Sequence, residues 1–131
     1  MTWKTVCMVA AAVWTLSAAG ASAGDAAAGE KLFNQKCKAC HKIGEGATNS
    51  IGPELNGVIG SKAGTVEGYS FSEALKGAGL VLDEATFKDF IVAPRTKVPG
   101  TKMVFAGLSK ETDRDNLYAF LAQYDEKGAK K

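Results

Sequence analysis

Histidine is all but missing from this sequence: His41 is the single one in 131 residues. Cysteine, methionine and tryptophan are nearly as scarce, at three, three and two. The N-terminus holds several of these. Met1 to Lys4 is a short segment with one positive charge, Val6 to Leu16 is apolar and uncharged, and Ala21-Ser22-Ala23 has the small residues of a cleavage site. Residues 1–23 are therefore read as a secretory signal peptide that is removed, and residues 24–131 as one domain beginning at Gly24. The rival, a membrane anchor, wants about 20 predominantly apolar residues, and here Ala, Ser and Gly fill the end of a shorter run. Cleavage takes Trp3, Trp14, Met1, Met8 and Cys7, and Cys7 lacks the small residues that precede a lipidated cysteine. An excess of one charge is lacking too. Lys4 leaves with the signal, so 16 basic residues become 15 against 14 acidic ones. That balance excludes the concentrated basic surface of a nucleic-acid binder. Four residues with soft-ligand chemistry remain: Cys37, Cys40, His41 and Met103.

Three of the four lie within five positions, Cys37-Lys38-Ala39-Cys40-His41. This is the spacing of c-type haem attachment. The thiols reach the two vinyl groups of a haem and form thioether bonds, and the histidine that follows is held beneath the iron as an axial ligand. A structural zinc site would need four ligands, and adjacent Cys40 and His41 do not suit a tetrahedron. A dithiol redox pair sits at a helix N-terminus after a strand, whereas these cysteines close a helical pattern and no strand pattern is evident. One haem c, attached through Cys37 and Cys40, is the expected cofactor. Met103 is the candidate for the iron's other axial position. Methionine is usually core filler. This one is the sole methionine after cleavage, it lies in a Pro- and Gly-rich loop rather than on a helical stripe, and no second histidine competes. A neutral thioether favours the reduced iron and raises the potential relative to two histidines. Lys97 or Lys102 is a substitute ligand at high pH if Met103 is displaced.

The rest of the chain reads as all-α, with short helices and long loops. Asp25 is a candidate N-cap for a helix running to about Cys40. Residues 43–68 are punctuated by Gly44, Gly52, Pro53, Gly57, Gly60 and Gly64 and read as loop, a length that suits wrapping a large flat group. Ser70 or Ser72 caps a short helix through Leu75, stopped by Gly77 or Gly79. Asp83 caps the next, with Phe87, Phe90 and Ile91 on one face, and Pro94 ends it. Residues 94–107 form a second loop. The last helix starts between Ser109 and Thr112 with acids in its first turn, carries Leu117, Phe120, Leu121 and Tyr124 as its apolar stripe, and leaves a frayed charged tail from Lys127.

Taken together these segments resemble the class I cytochromes c, most closely the bacterial cytochrome c2 group and mitochondrial cytochrome c. Gly29-Glu30-Lys31-Leu32-Phe33 resembles the family's first helix, Cys37 to His41 its haem motif, Pro99 to Gly107 its methionine loop, and Arg114 to Leu121 its closing helix. The resemblance implies the class I cytochrome c fold around one covalent haem. It implies that Pro53, in Ile51-Gly52-Pro53-Glu54-Leu55, accepts the Nδ1–H of His41 on its carbonyl. It also places Gly68-Tyr69-Ser70-Phe71-Ser72 beside a haem propionate. The sequence departs from the family where Leu82 replaces a propionate-binding tryptophan, Phe90 a tyrosine near the ligand sulfur, Phe71 a propionate-side tyrosine and Ser61 an arginine. Tyr69, Lys62 or backbone groups are the replacements for that work.

The expected function is that of a soluble, monomeric periplasmic carrier moving single electrons between membrane complexes, and not an enzyme. By the resemblance its donor is a complex such as cytochrome bc1, and its acceptor an oxidase or photosynthetic reaction centre. Lys36, Lys38 and Lys42 flank one ligand segment, and Arg95, Lys97 and Lys102 the other. They form a candidate basic rim that would steer the carrier to acidic partners. A dedicated electron acceptor of one periplasmic dehydrogenase has the same chemistry and a different partner. A haem peroxidase or gas binder needs an open iron position, and Met103 is placed to fill it.

Overall fold

The computed structural model describes residues 11, 12 and 24–131, so the signal peptide reading falls outside the described residues except at Ala11 and Ala12. No helix among the described residues is long and apolar enough to cross a membrane. Five helices follow in chain order: α1 (Ala26–Lys36), α2 (Glu73–Gly77), α3 (Glu84–Val92), α4 (Pro94–Lys97) and α5 (Glu111–Leu121). The all-α expectation holds, with only two isolated β-bridges, Lys62 with Val81 and Tyr124 with Lys130, among the described residues.

The α1–α5 crossing organises the core. Asp25 caps α1 by accepting from the Ala27 and Ala28 amides at 2.9 and 3.3 Å, and its own amide donates to Asn116 Oδ1 on α5 at 2.8 Å. Gly29 lies where the backbones meet. A Cβ there would stand 1.9 Å from the Asn116 carbonyl oxygen and 2.8 Å from the Phe120 Cβ, so no larger residue fits without a shift. One turn on, Phe33 packs its ring against Phe120 with centroids 5.4 Å apart. Phe87 and Ile91 from α3, with Leu108, Leu117 and Leu121, complete the buried cluster. Asp83 caps α3 as its sequence position predicts, accepting from the Thr86 amide at 2.8 Å. Lys88 then ties α3 to α5: it bonds Glu84 and Asp115 at 2.6 and 2.7 Å and lies over the Tyr118 ring. Those two carboxylates, Asp115 foremost, hold its ammonium above the ordinary lysine range.

Three local expectations fail. The first helix stops at Lys36, not Cys40: the Phe33 carbonyl accepts from both the Cys37 and Lys38 amides, and residues 37–40 form a turn closed by the Cys40 amide on the Cys37 carbonyl. Residues 94–97, expected as loop, form α4. Proline at a first helical position forfeits no hydrogen bond and arrives with φ preset, so Pro94 begins a helical turn as well as ending the one before. The tail is not frayed. The Lys131 amide donates to Gln123 O at 2.8 Å and the Asp125 amide to Ala129 O at 2.9 Å, while Lys130 lies over the Tyr124 ring.

Candidate cofactor site

The turn after α1 puts Cys37, Cys40 and His41 on one wall of a cavity of about 370 Å³. The imidazole is fixed from two sides. Its Nδ1 lies 2.7 Å from the Pro53 carbonyl oxygen. A carbonyl only accepts, so Nδ1 carries the proton and Nε2 keeps the free lone pair. On the ring's other side is Gly52, where a Cβ would approach His41 Cε1 to 2.4 Å; only glycine lets the chain pass there. Burial lowers the pKa of His41, opposed by the Pro53 bond, so the ring is a neutral donor ready for a metal. The Gly52–Pro53 segment is held by the Gly52 amide on Cys40 O at 2.8 Å and the Leu55 amide on Lys42 O at 2.9 Å.

Cys37 and Cys40 are half-buried and form no disulfide with each other. Burial, then the neighbouring Cys40, pushes the Cys37 thiol up to about 11 against the pull of Lys36. Among the described residues no three His, Cys, Asp or Glu side chains converge on a point that could hold a metal ion. The four ligands a structural zinc site needs are thus not gathered among the described residues.

Met103 lines the same cavity from the loop between α4 and α5, its amide donating to Thr101 Oγ1 at 3.3 Å. Arg114 fastens the far end of that loop through the Leu108 and Ser109 carbonyls at 2.9 and 2.7 Å. The remaining walls are mainly apolar, with Phe33, Leu55, Val58, Phe87 and Ile91 among them. Leu82, Phe90 and Phe71, the departures noted above, are buried, and with Ser61 they line it too. No buried side-chain nitrogen or oxygen among the described residues lacks a hydrogen bond. The cavity therefore asks for an apolar body with a metal presenting to an imidazole nitrogen, a vinyl edge facing two thiols, and a thioether nearby. Haem fits that description.

The comparisons with known proteins agree. A family model described as cytochrome c matches residues 26–125. The chain belongs to the cytochrome c family. It is 58% identical over 108 residues to a cytochrome c2 of Rhodoblastus acidophilus, covering 82% of this chain and all of that one. It is 56% identical over 110 residues to a cytochrome c-554 of Methylosinus trichosporium, covering 84% and 83% of the two chains. Among solved structures, cytochrome cH from Methylobacterium extorquens matches with a TM-score of 0.70 and 51% identity, over 76% of this chain and 98% of that one. This cytochrome is thus of class I, a single-haem electron carrier and not an enzyme, with haem c joined through Cys37 and Cys40.

Cys37, Cys40, His41, Met103, Pro53 and Tyr69, named from sequence, all border the one cavity. Of the basic residues expected around it, Lys36 and Lys102 line it and Lys38, Lys42, Arg95 and Lys97 do not. Lys97 is paired with Asp89, and Lys102 Nζ donates to the Ser70 carbonyl at 2.9 Å. Sequence reasoning missed two contacts. Arg114 stood in the closing-helix resemblance with no task attached. The Tyr69 hydroxyl donates to the Ile51 carbonyl at 2.8 Å, a contact between loop residues for which a sequence carries no periodic signal.

Proposed function

We propose that residues 1–23 are removed on export and that the mature cytochrome, residues 24–131, is a soluble periplasmic shuttle between membrane redox complexes. The proposed donor is a complex such as cytochrome bc1, and the proposed acceptor an oxidase or reaction centre. In this reading His41 and Met103 would hold the iron, with Pro53 orienting His41 and Tyr69 bordering the cofactor. When bound, haem c supplies a site that takes up and releases one electron. The chain does the rest. His41 offers Nε2 in a fixed direction because Pro53 holds Nδ1–H and Gly52 backs the ring. Such a second partner also raises the basicity of the ligand nitrogen. Met103, which lines the same cavity, would offer the iron a neutral sulfur. Apolar walls keep water away, so little need rearrange when charge changes. Lys36, Lys38, Lys42, Arg95 and Lys102 form a basic rim, to which Lys97 contributes less because Asp89 neutralises it.

The observation that carries the reading is the meeting of Cys37, Cys40, His41 and Met103 around one apolar cavity although Met103 is remote from the others in sequence. The test is an absorption spectrum and an intact mass of the secreted protein. A chain starting at Gly24 and carrying one haem is expected, with low-spin bands when reduced and a weak far-red sulfur-to-iron band when oxidised. Met103→Ala should remove that far-red band and lower the potential by at least about 60 mV, a tenfold change in relative affinity for the two iron states. A high-spin oxidised wild type at neutral pH would overturn the ligand assignment.

A further inference from the structure

We propose that Tyr69 is a positioning residue for His41, acting through the Ile51 carbonyl and the Gly52–Pro53 segment, and not a donor to the carboxylates of the cofactor. The inference rests on the ligand role of His41 proposed above. A phenol has one proton to give, and the Tyr69 hydroxyl gives it to Ile51 O at 2.8 Å. A carboxylate needs donors, so a hydroxyl already committed to a carbonyl has none to offer it. The ring is held in place for this task by edge-on packing against Phe71, with centroids 4.8 Å apart.

Ile51 is where the segment needs an outside hold. Its side chain borders the cofactor cavity, and its carbonyl is the group that Tyr69 holds. The next residue, Gly52, lies under the imidazole, and the one after supplies the carbonyl to Nδ1. A second tie runs parallel to the first: Asn49 Nδ2 donates to Glu67 O at 3.0 Å, while Asn49 Oδ1 accepts from the Glu54 amide at 3.0 Å. The segment is thus strapped to residues 67–69 at Asn49 and at Ile51, and Tyr69 is the strap nearer the histidine.

The test uses the haem-loaded protein. Tyr69→Phe keeps the ring against Phe71 and deletes the donor. By NMR of the reduced protein, the His41 Nδ1–H should exchange with solvent about tenfold faster in the variant, the effect of losing one hydrogen bond that holds its acceptor. The reduction potential should rise, because a less firmly bonded Nδ1–H makes the imidazole a weaker donor. The wild type supplies a measurement that does not depend on the variant folding: the Tyr69 hydroxyl proton should be observable and show a cross-peak to the Ile51 backbone. Unchanged Nδ1–H exchange in Tyr69→Phe overturns the proposal. So does a variant whose only change is in the pH dependence of the potential, which would assign the hydroxyl to the cofactor's carboxylates. A wild type whose haem is not ligated by His41 would fail the proposed function itself before any variant is compared, whereas a His41-ligated wild type with an unchanged variant fails this inference alone.

Discussion

One methyl group separates a seated histidine from a displaced one. Gly52 passes the imidazole so closely that an alanine Cβ would lie 2.4 Å from Cε1 and 2.7 Å from Nδ1. The ring cannot retreat without lengthening its 2.7 Å contact with Pro53, so the strain falls on the segment that holds the proposed ligand. Gly52→Ala should destabilise the loaded protein by about 1–3 kcal/mol, the usual cost of overpacking, and shift the His41 ring resonances in NMR spectra. Denaturant unfolding followed at the haem absorption band measures the first. Of the cavity lining, Cys37, Cys40 and His41 were legible directly from their spacing, and Met103, the proposed second ligand, stood out because so few soft donors remain in the chain. Pro53 was legible only through resemblance, because a carbonyl meeting a ring twelve residues away has no local signature. Tyr69 was seen as a neighbour of the cofactor, but the destination of its proton was not.

Helices α1 and α3 begin where the sequence says, while other boundaries depend on how local turns close. Asp25 and Asp83 cap their helices within three residues, so both starts were readable. The end of α1 and the start of α4 were not, since each depends on how a turn closes. The Asp83 cap carries a pH dependence. The Thr86 amide holds the Asp83 carboxyl below the usual carboxylate range. A group depressed in this way adds stability above its unfolded pKa and loses it as the pH falls through the folded one. Below about pH 4 the wild type should therefore lose this contribution, while Asp83→Asn keeps a capping oxygen and should show a shallower fall. Unfolding midpoints of the two proteins between pH 5 and pH 3 measure the difference. At the α1–α5 crossing the requirement is steric. Gly29→Ala should cost about 1–3 kcal/mol, because the new Cβ meets the backbone oxygen of Asn116 at 1.9 Å, and backbone yields less readily than a side-chain tip. The absorption spectrum should be unchanged, since the crossing touches no proposed ligand.

At the scale of the whole molecule the charges are nearly balanced, 15 basic residues against 14 acidic from Gly24 onward. Steering must then come from where the charges sit. With Lys97 paired to Asp89, the proposed rim rests mainly on Lys36, Lys38, Lys42, Arg95 and Lys102. Raising ionic strength from about 10 mM to about 150 mM shortens the screening length from roughly 30 to 8 Å. The second-order rate of electron transfer with a membrane partner should fall across that range. Stopped-flow rates at several salt concentrations measure it, and a flat profile would remove the rim.

The carboxyl-terminal residues turn inward as well. Lys131 is hydrogen-bonded to Gln123, and Gly128 lies so near Gly44 that a Cβ would be 2.2 Å from the Gly44 oxygen. Gly44 is in turn clasped by Asn56 through its amide and its carbonyl, at 2.8 and 2.9 Å. Residues 123–131 are therefore joined to the loop that follows the Cys37 to His41 turn. Gly128→Ala would press on Gly44 and, through it, on Asn56, two residues far from position 128 in the chain.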